Sequence, residues 1–326
     1  MQYILILLVS SFLLLLTKLI SSRLNLFDVP DNIKIHKERV PNIAGLAFIP
    51  FSFFIIFYFQ FNEIITKTLF FFTVVVLIGL FDDIKNIKPI LKLVVLFLPI
   101  YLFTFYVGEV KTLGSYEFFN LNLGGFSLIF TILCIFLLTN AFNYIDGIDG
   151  LLALNVLITL IFFQFLTFDD TFIFLSFSIF LLIYFFININ FLGIFPKQFI
   201  GDAGSLGLGF LISSFLIIYT QIQVFLHPSV IIWLVAFVVY EFLSINIIRI
   251  KLKKNIFKRD LNFIFNKLQN KYSYKVSILI CTIIHILLCS ISILIYFSEF
   301  YLFSLILFII LFIIYLILRL NQSLKI

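Results

Sequence analysis

The sequence predicts an all-α, polytopic integral membrane protein of about 11 transmembrane helices, and three observations carry that reading. Of 326 residues, 63% are hydrophobic and only 12% charged, and the mean hydropathy is +1.22. A soluble domain of that composition could not cover its core with polar groups. Phenylalanine supplies 48 residues and proline only 7, so the apolar tracts read as helices solvated by a bilayer. Finally, Lys and Arg alternate sharply between successive connections, the bias that orients membrane helices.

Taken in order, the first span is read at 2–20; Met1 to Ser11 carries no Lys or Arg and no small-residue cleavage site follows, so it is expected to be retained rather than removed as a leader. Spans follow at 43–61, at the short 68–81, and at 90–107, 126–141, 151–167, 171–188, 205–221, 228–248, 276–296 and 299–318. An odd number sets the termini on opposite sides. With Lys18 at the inner end of the first span, every Lys and Arg except Lys67 and Lys111 falls in the odd-numbered connections or the C-terminal tail. Those connections are therefore expected in the cytoplasm, with the N-terminus periplasmic and the C-terminus cytoplasmic. Topology accounts for the net charge of +6 without a nucleic-acid partner. The whole chain, 1–326, reads as a single transmembrane domain with cytoplasmic loops near 21–42, 82–89, 141–150, 189–204 and 249–275. Cys134, Cys281 and Cys289 lie inside apolar runs without ligand spacing and read as small core residues.

Carboxylates beside hydrocarbon usually mark a function or a partner, and here they gather on the expected cytoplasmic side. Asp82 and Asp83 end the third span and are trailed by Lys85, Lys88, Pro89 and Lys92. They read either as a metal-adjacent pair or as a helix C-terminus with a solvated turn. The fifth connection packs Asn140, Asn143, Asp146, Gly147, Asp149 and Gly150 into what reads as a short turn between spans. Those side chains are the hard oxygen donors suited to Mg²⁺ and phosphate chemistry, or else a chain-reversing Asx turn. Gly201, Asp202, Gly204 and Ser205 open the eighth span. There a helix N-terminus attracts phosphate and Asp202 either holds the accompanying cation or caps the helix. Glu63, Glu109, Asp169 and Asp170, on the other side, read as solvated loop residues.

In this order the segments resemble the polyprenyl-phosphate N-acetylhexosamine-1-phosphate transferases, the membrane family that includes the phospho-N-acetylmuramoyl-pentapeptide transferases. The resemblance rests on Asp28-Val-Pro30, Lys34-Ile-His36 and Val40-Pro41 through Gly45, on Asp82-Asp83, on Asn143 to Gly150, and on Gly201 to Ser205, within about residues 25 to 275. It implies that polyprenyl phosphate attacks the β-phosphorus of a UDP-N-acetylhexosamine at the cytoplasmic face of a bacterial inner membrane, releasing UMP and starting a cell-envelope polysaccharide. It further implies Mg²⁺ held by Asn143 and Asp202, and Asp82 or Asp83 orienting or deprotonating the lipid phosphate. Asp149 and Asp146 would lie beside the metal or the uracil ring. Lys34, His36 and Lys92 are implied for the lipid phosphate, Lys34 and Lys92 reading equally as membrane anchors and His36 as structural. A homodimer is compatible with all of this.

One stretch departs from the family. Its last cytoplasmic loop usually carries Asp-Arg and a His-x-His-His cluster, whereas this chain reads Asp260-Leu261-Asn262-Phe263-Ile264-Phe265-Asn266. Arg259 stands next door as a substitute for the missing arginine, and the donor sugar is left open. If Phe263, Phe265 and Asn266 line the donor pocket, a deoxygenated hexosamine is the expected substrate. The basic run from Arg249 to Arg259 reads as an orienting signal near anionic lipids or as a steering patch for the nucleotide. Two other classes fit the same sequence: a non-catalytic polyprenyl-phosphate binder, which the lost histidines favour, and a transporter or flippase. Transporters place polar groups in mid-span, and these spans read as clean.

Overall fold

The computed structural model describes residues 2–24, 26–29, 39–167, 171–193, 197–256 and 262–323. Each expected apolar run is helical. The bundle opens with α1 (Gln2–Leu24), followed by a two-residue strand β1 (Phe27–Asp28) that pairs antiparallel with β2 (Val40–Pro41). A 3₁₀ turn at Ala44–Ala47 leads into α2 (Phe48–Phe59), and α3 (Glu63–Lys85) and α4 (Pro89–Tyr106) follow. A hairpin of β3 (Thr112–Tyr116) and β4 (Phe119–Asn122) precedes α5 (Ser127–Ile145). Then come α6 (Leu151–Thr167), α7 (Thr171–Asn188) and α8 (Gly201–Ile217), which runs on through a π turn to Ile222. The remainder is α9 (Pro228–Ile231), a 3₁₀ turn, α10 (Ala236–Lys251), the short α11 (Ile264–Gln269), α12 (Tyr274–Ser298) and α13 (Tyr301–Ser323).

Among the described residues, eight helical stretches are long and apolar enough to cross a membrane; Ala44–Phe59, Leu151–Thr167 and Phe172–Asn188 are apolar but shorter. The chain is a multi-pass membrane protein. The third run is longer than its hydropathy suggested: α3 spans 23 residues, because Asn62 caps it by accepting from the Ile65 N–H at 2.9 Å and Asn86 ends it in the left-handed region at φ 48°. The Asp82-Asp83 pair is therefore the last turn of a helix. Likewise Asn140 and Asn143 belong to the end of α5, not to a turn, which occupies only 146–150.

Helix α8 is the hub. Of its apolar window 94% is buried, and it packs chiefly against α3 and α5. A helix apolar all round can be central only if its neighbours come close. At Gly79 of α3 a Cβ would stand 2.4 Å from the Asp202 carbonyl oxygen, and at Gly209 of α8 one would stand 2.6 Å from the Thr139 Cα of α5. Those two close approaches hold α3 and α5 against α8. On the outside, α13 has only 6% of its window buried.

The spans are not clean. Glu241 and Arg319 form a buried ion pair at 3.0 Å, and His285 is buried with its Nε2 3.1 Å from the Asn155 carbonyl and 3.2 Å from the Thr159 hydroxyl. Single polar residues inside long apolar helices escaped the reading because one charge barely moves the hydropathy of a 20-residue window.

Candidate active site

The segment before α8 is held by backbone pairing. Phe199 donates to the Pro41 carbonyl at 2.8 Å, Ala44 to that of Phe199 at 3.0 Å and Gly45 to that of Ile200 at 2.9 Å. Gly201, at φ 70°, then turns the chain into the helix, a conformation that glycine adopts without strain. Space decides the same position: a Cβ there would lie 2.5 Å from Asp83 Oδ2.

Asp83 fills that space because it caps α8. Its Oδ1 accepts from the backbone N–H of Asp202 at 2.9 Å and its Oδ2 from that of Ala203 at 3.0 Å, the donors that an N-cap residue ordinarily satisfies. Asn42 donates to Oδ1 from 3.4 Å. The Asp202 side chain is thereby released from capping, and its two oxygens point to different partners. Oδ1 accepts from Asn143 Nδ2 at 2.9 Å. Oδ2 accepts a short hydrogen bond from the Lys92 ammonium, which also pairs with Asp82 Oδ2 at 2.9 Å. Asp82 Oδ1 accepts from the Ile87 N–H at 2.8 Å, and Asn143 Nδ2 also donates to the Ser205 hydroxyl at 2.8 Å. Asp82, far from lying in a solvated turn, is only 9% exposed. Helices α3, α4, α5 and α8 thus converge on one cluster containing five of the expected site residues: Asp82, Asp83, Lys92, Asn143 and Asp202.

Asp149 stands apart from that cluster in a second pair. Its Oδ2 is 2.5 Å from the Lys197 ammonium, which also lies 5.0 Å from the Phe199 ring centroid. Asn188 fixes the geometry by accepting from the Gly150 N–H at 2.6 Å and donating to the Gln198 carbonyl at 2.9 Å. The α5–α6 turn and the segment leading to α8 are so tied side by side. Asp146 lies in the same turn, half-buried. Lys34, His36 and Arg259 fall outside the described residues. Lys197 was missed by sequence reasoning, as were Asn188 and the Glu241–Arg319 pair, and nothing local marks any of them.

Two expectations for the last loop are corrected. Phe265 has no exposed surface and packs on Tyr274 with ring centroids 5.2 Å apart, while Phe263 is 7% exposed and packs 6.1 Å from Tyr144. Neither ring is free to form the apolar sugar pocket expected of it, because the helix bundle uses both as core. Arg249, expected in a basic run that orients the chain near anionic lipids or steers the nucleotide, is 1% exposed. It lies 5.2 Å from the Tyr144 ring and donates to the Ile256 carbonyl at 2.7 Å.

Comparison with known proteins finds relatives of this chain. An undecaprenyl-phosphate alpha-N-acetylglucosaminyl 1-phosphate transferase of Escherichia coli is 27% identical over 314 residues, covering 90% of this chain and 83% of the relative; that of Shigella flexneri matches to the same extent. A phospho-N-acetylmuramoyl-pentapeptide-transferase of Streptococcus pneumoniae is 28% identical over 203 residues, covering 55% of this chain and 60% of the relative. The family described as glycosyl transferase family 4 matches residues 65–220. Those residues run from α3 to the end of the α8 hub and contain Asp82, Asp83, Lys92, Asn143, Asp149, Lys197 and Asp202, so the stretch that carries the cluster and its flanking pair is similar to glycosyl transferase family 4.

Proposed function

We propose that this protein transfers an N-acetylhexosamine 1-phosphate from a UDP-sugar to undecaprenyl or another polyprenyl phosphate at the cytoplasmic face of the membrane, with Mg²⁺, releasing UMP and starting a cell-envelope polysaccharide such as O-antigen. The observation that carries this reading is the joining of Asp82, Lys92, Asn143 and Asp202 at one end of an apolar bundle. A lipid phosphate and a water-soluble diphosphate can meet there.

The donor set suits Mg²⁺. Asp82 and Asp202 already aim one carboxylate oxygen each at a single cation, the Lys92 ammonium, and Asn143 adds an amide. Asn143 and Asp202 would hold the Mg²⁺ ion. When bound, Mg²⁺ would neutralise charge on the donor diphosphate and on the departing UMP.

A lipid phosphate oxygen forms a bond to the β-phosphorus of the donor, and the bond from that phosphorus to the bridging oxygen breaks, leaving with UMP. Repulsion between two anions is the first barrier, and Lys92 lowers it. The second pKa of a phosphate monoester, about 6, leaves the nucleophile mostly dianionic. Asp82 therefore orients the lipid phosphate rather than removing a proton from it. Asp83 acts one step back, by holding the start of α8 and with it Asp202. Lys34 and His36 are assigned to the lipid phosphate, Asp146 and Asp149 to the donor nucleotide, and Arg259 to the arginine place in the last loop. Lys197, partly exposed beside Asp149, joins this set as a cation for the donor phosphates.

The test is purified protein in nanodiscs with undecaprenyl phosphate and a panel of UDP-N-acetylhexosamines, read as UMP release. Release matched by lipid-linked sugar, stopped by EDTA and restored by Mg²⁺, is expected. Tight binding of polyprenyl phosphate with no UMP from any donor would replace this reading by a non-catalytic binder; lipid translocation across liposomes without UMP would replace it by a flippase.

A further inference from the structure

The mechanism leaves a buried ion pair unused. Glu241 of α10 and Arg319 of α13 are each 1% exposed. The guanidinium grips the carboxylate with both arms, Nη2 to Oε1 at 3.0 Å and Nε to Oε2 at 3.1 Å, while the Tyr315 hydroxyl donates a short bond to Oε2. Beyond each other, both charged groups bind one stretch of backbone. The Ile264 N–H donates to Glu241 Oε1 at 2.6 Å, and Arg319 Nη2 donates a short bond to the Asn262 carbonyl.

That stretch leads to the site. Phe263, between the two anchored residues, packs its ring on Tyr144, which directly follows Asn143. The Tyr144 hydroxyl donates to the Ile256 carbonyl at 3.0 Å, which also accepts from Arg249. Asn143 in turn holds Asp202 Oδ1, the oxygen opposite the one that faces Lys92 and Asp82. A line of contacts therefore runs from the last helix, through 262–264 and Tyr144, to the Asn143 side of Asp202.

A fully buried ion pair is seldom needed for stability, since neutral side chains of similar volume often serve as well. What neutral groups cannot do is hold a carbonyl and an N–H two residues apart in a fixed direction by a charged fork. We propose that Arg319, acting through Glu241, is a positioning residue for donor binding: it fixes residues 262–264 against Tyr144 and so sets Asn143 on the donor side of Asp202. This inference rests on the transferase reading above.

The experiment compares wild type with Glu241→Gln/Arg319→Met, which is uncharged, keeps the volume and leaves an acceptor for the Ile264 N–H, and with Arg319→Lys, which keeps the charge but loses the fork. Melting temperature, kcat, and KM for the UDP-sugar and for polyprenyl phosphate are measured on each. The expected result is a rise in donor KM of about tenfold or more for the double variant, with kcat and the lipid KM within about threefold of wild type and a smaller rise for Arg319→Lys. A wild-type donor KM in either variant overturns the proposal. So does a parallel fall of melting temperature, kcat and both affinities, which would mark the pair as structural. Wild type that releases no UMP with any donor would instead sink the transferase reading. The proposal would then be judged by whether UMP stabilises wild type against heat more than it does the double variant, and equal shifts would overturn it.

Discussion

Asp83, on α3, receives the N–H groups of Asp202 and Ala203 at 2.9 and 3.0 Å, so one helix supplies the N-cap of another. The arrangement divides two adjacent carboxylates into different tasks: Asp83 faces backbone, Asp82 faces Lys92. It also leaves the Asp202 side chain, which could have capped its own helix, to be shared between Lys92 and Asn143.

Replacing Asp83 by Asn is expected to weaken the cap by about 0.5–2 kcal/mol, lowering the melting temperature by a few degrees and UMP release by at least about tenfold. The amide keeps only one acceptor oxygen for two backbone donors. Asp83→Ala should be worse on both counts. Full activity in either variant would show that α8 starts correctly without this contact.

For Asp202→Ala, turnover should fall to background and extra Mg²⁺ should not restore it, because the carboxylate assigned to charge stabilisation is gone. Activity above about a tenth of wild type, a loss under about 1.4 kcal/mol, would remove Asp202 from the metal site. Lys92→Met gives the complementary signal. Its ammonium occupies the same oxygens that Asp82 and Asp202 would offer a metal, so the variant should be slow yet reach half-maximal rate at lower Mg²⁺. An unchanged Mg²⁺ titration would separate Lys92 from the metal.

At Gly79 a methyl group would meet the Asp202 carbonyl at 2.4 Å and the Ala203 Cα at 2.6 Å. Both are backbone and cannot swing aside. Gly79→Ala should therefore push α3 from α8, cost about 1–3 kcal/mol as overpacking, and separate Asp83 from its N–H partners. Wild-type stability and activity in this variant would mean that the helices tolerate a wider gap.

His227 lies between the spans, near the hairpin. Its Nδ1 accepts from the Ser229 N–H, its Nε2 lies 3.2 Å from the Ser115 carbonyl, and its ring stacks on Tyr301 at 3.9 Å. Burial holds its pKa below the ordinary 6.5. A group held neutral in the folded state contributes stability that is complete above the unfolded pKa and is lost as pH falls through the folded one. Wild type should thus lose melting temperature relative to His227→Phe as the pH falls below the ordinary histidine pKa of about 6.5. Parallel pH curves for the two proteins would exclude His227 as the cause.

Much was readable along the chain. Hydropathy found the long apolar helices, and three short polar segments stood out at their ends, from which Asp82, Asp83, Asn143 and Asp202 do meet. Both are local signals, carried by a window of residues, and so survive without knowledge of neighbours. Partners are another matter. Lys92 and Asp202 are 110 positions apart, Lys197 and Asp149 are 48, and Arg319 and Glu241 are 78. In a soluble helix the apolar stripe tells which face is buried. In lipid the outward face is as apolar as the inward one, so the pattern that would orient each helix is missing. Which acid meets which cation, and that Phe265 and Arg249 turn inward, is decided by how the helices pack on one another, as where Gly79 and Gly209 let α3 and α5 approach α8 closely.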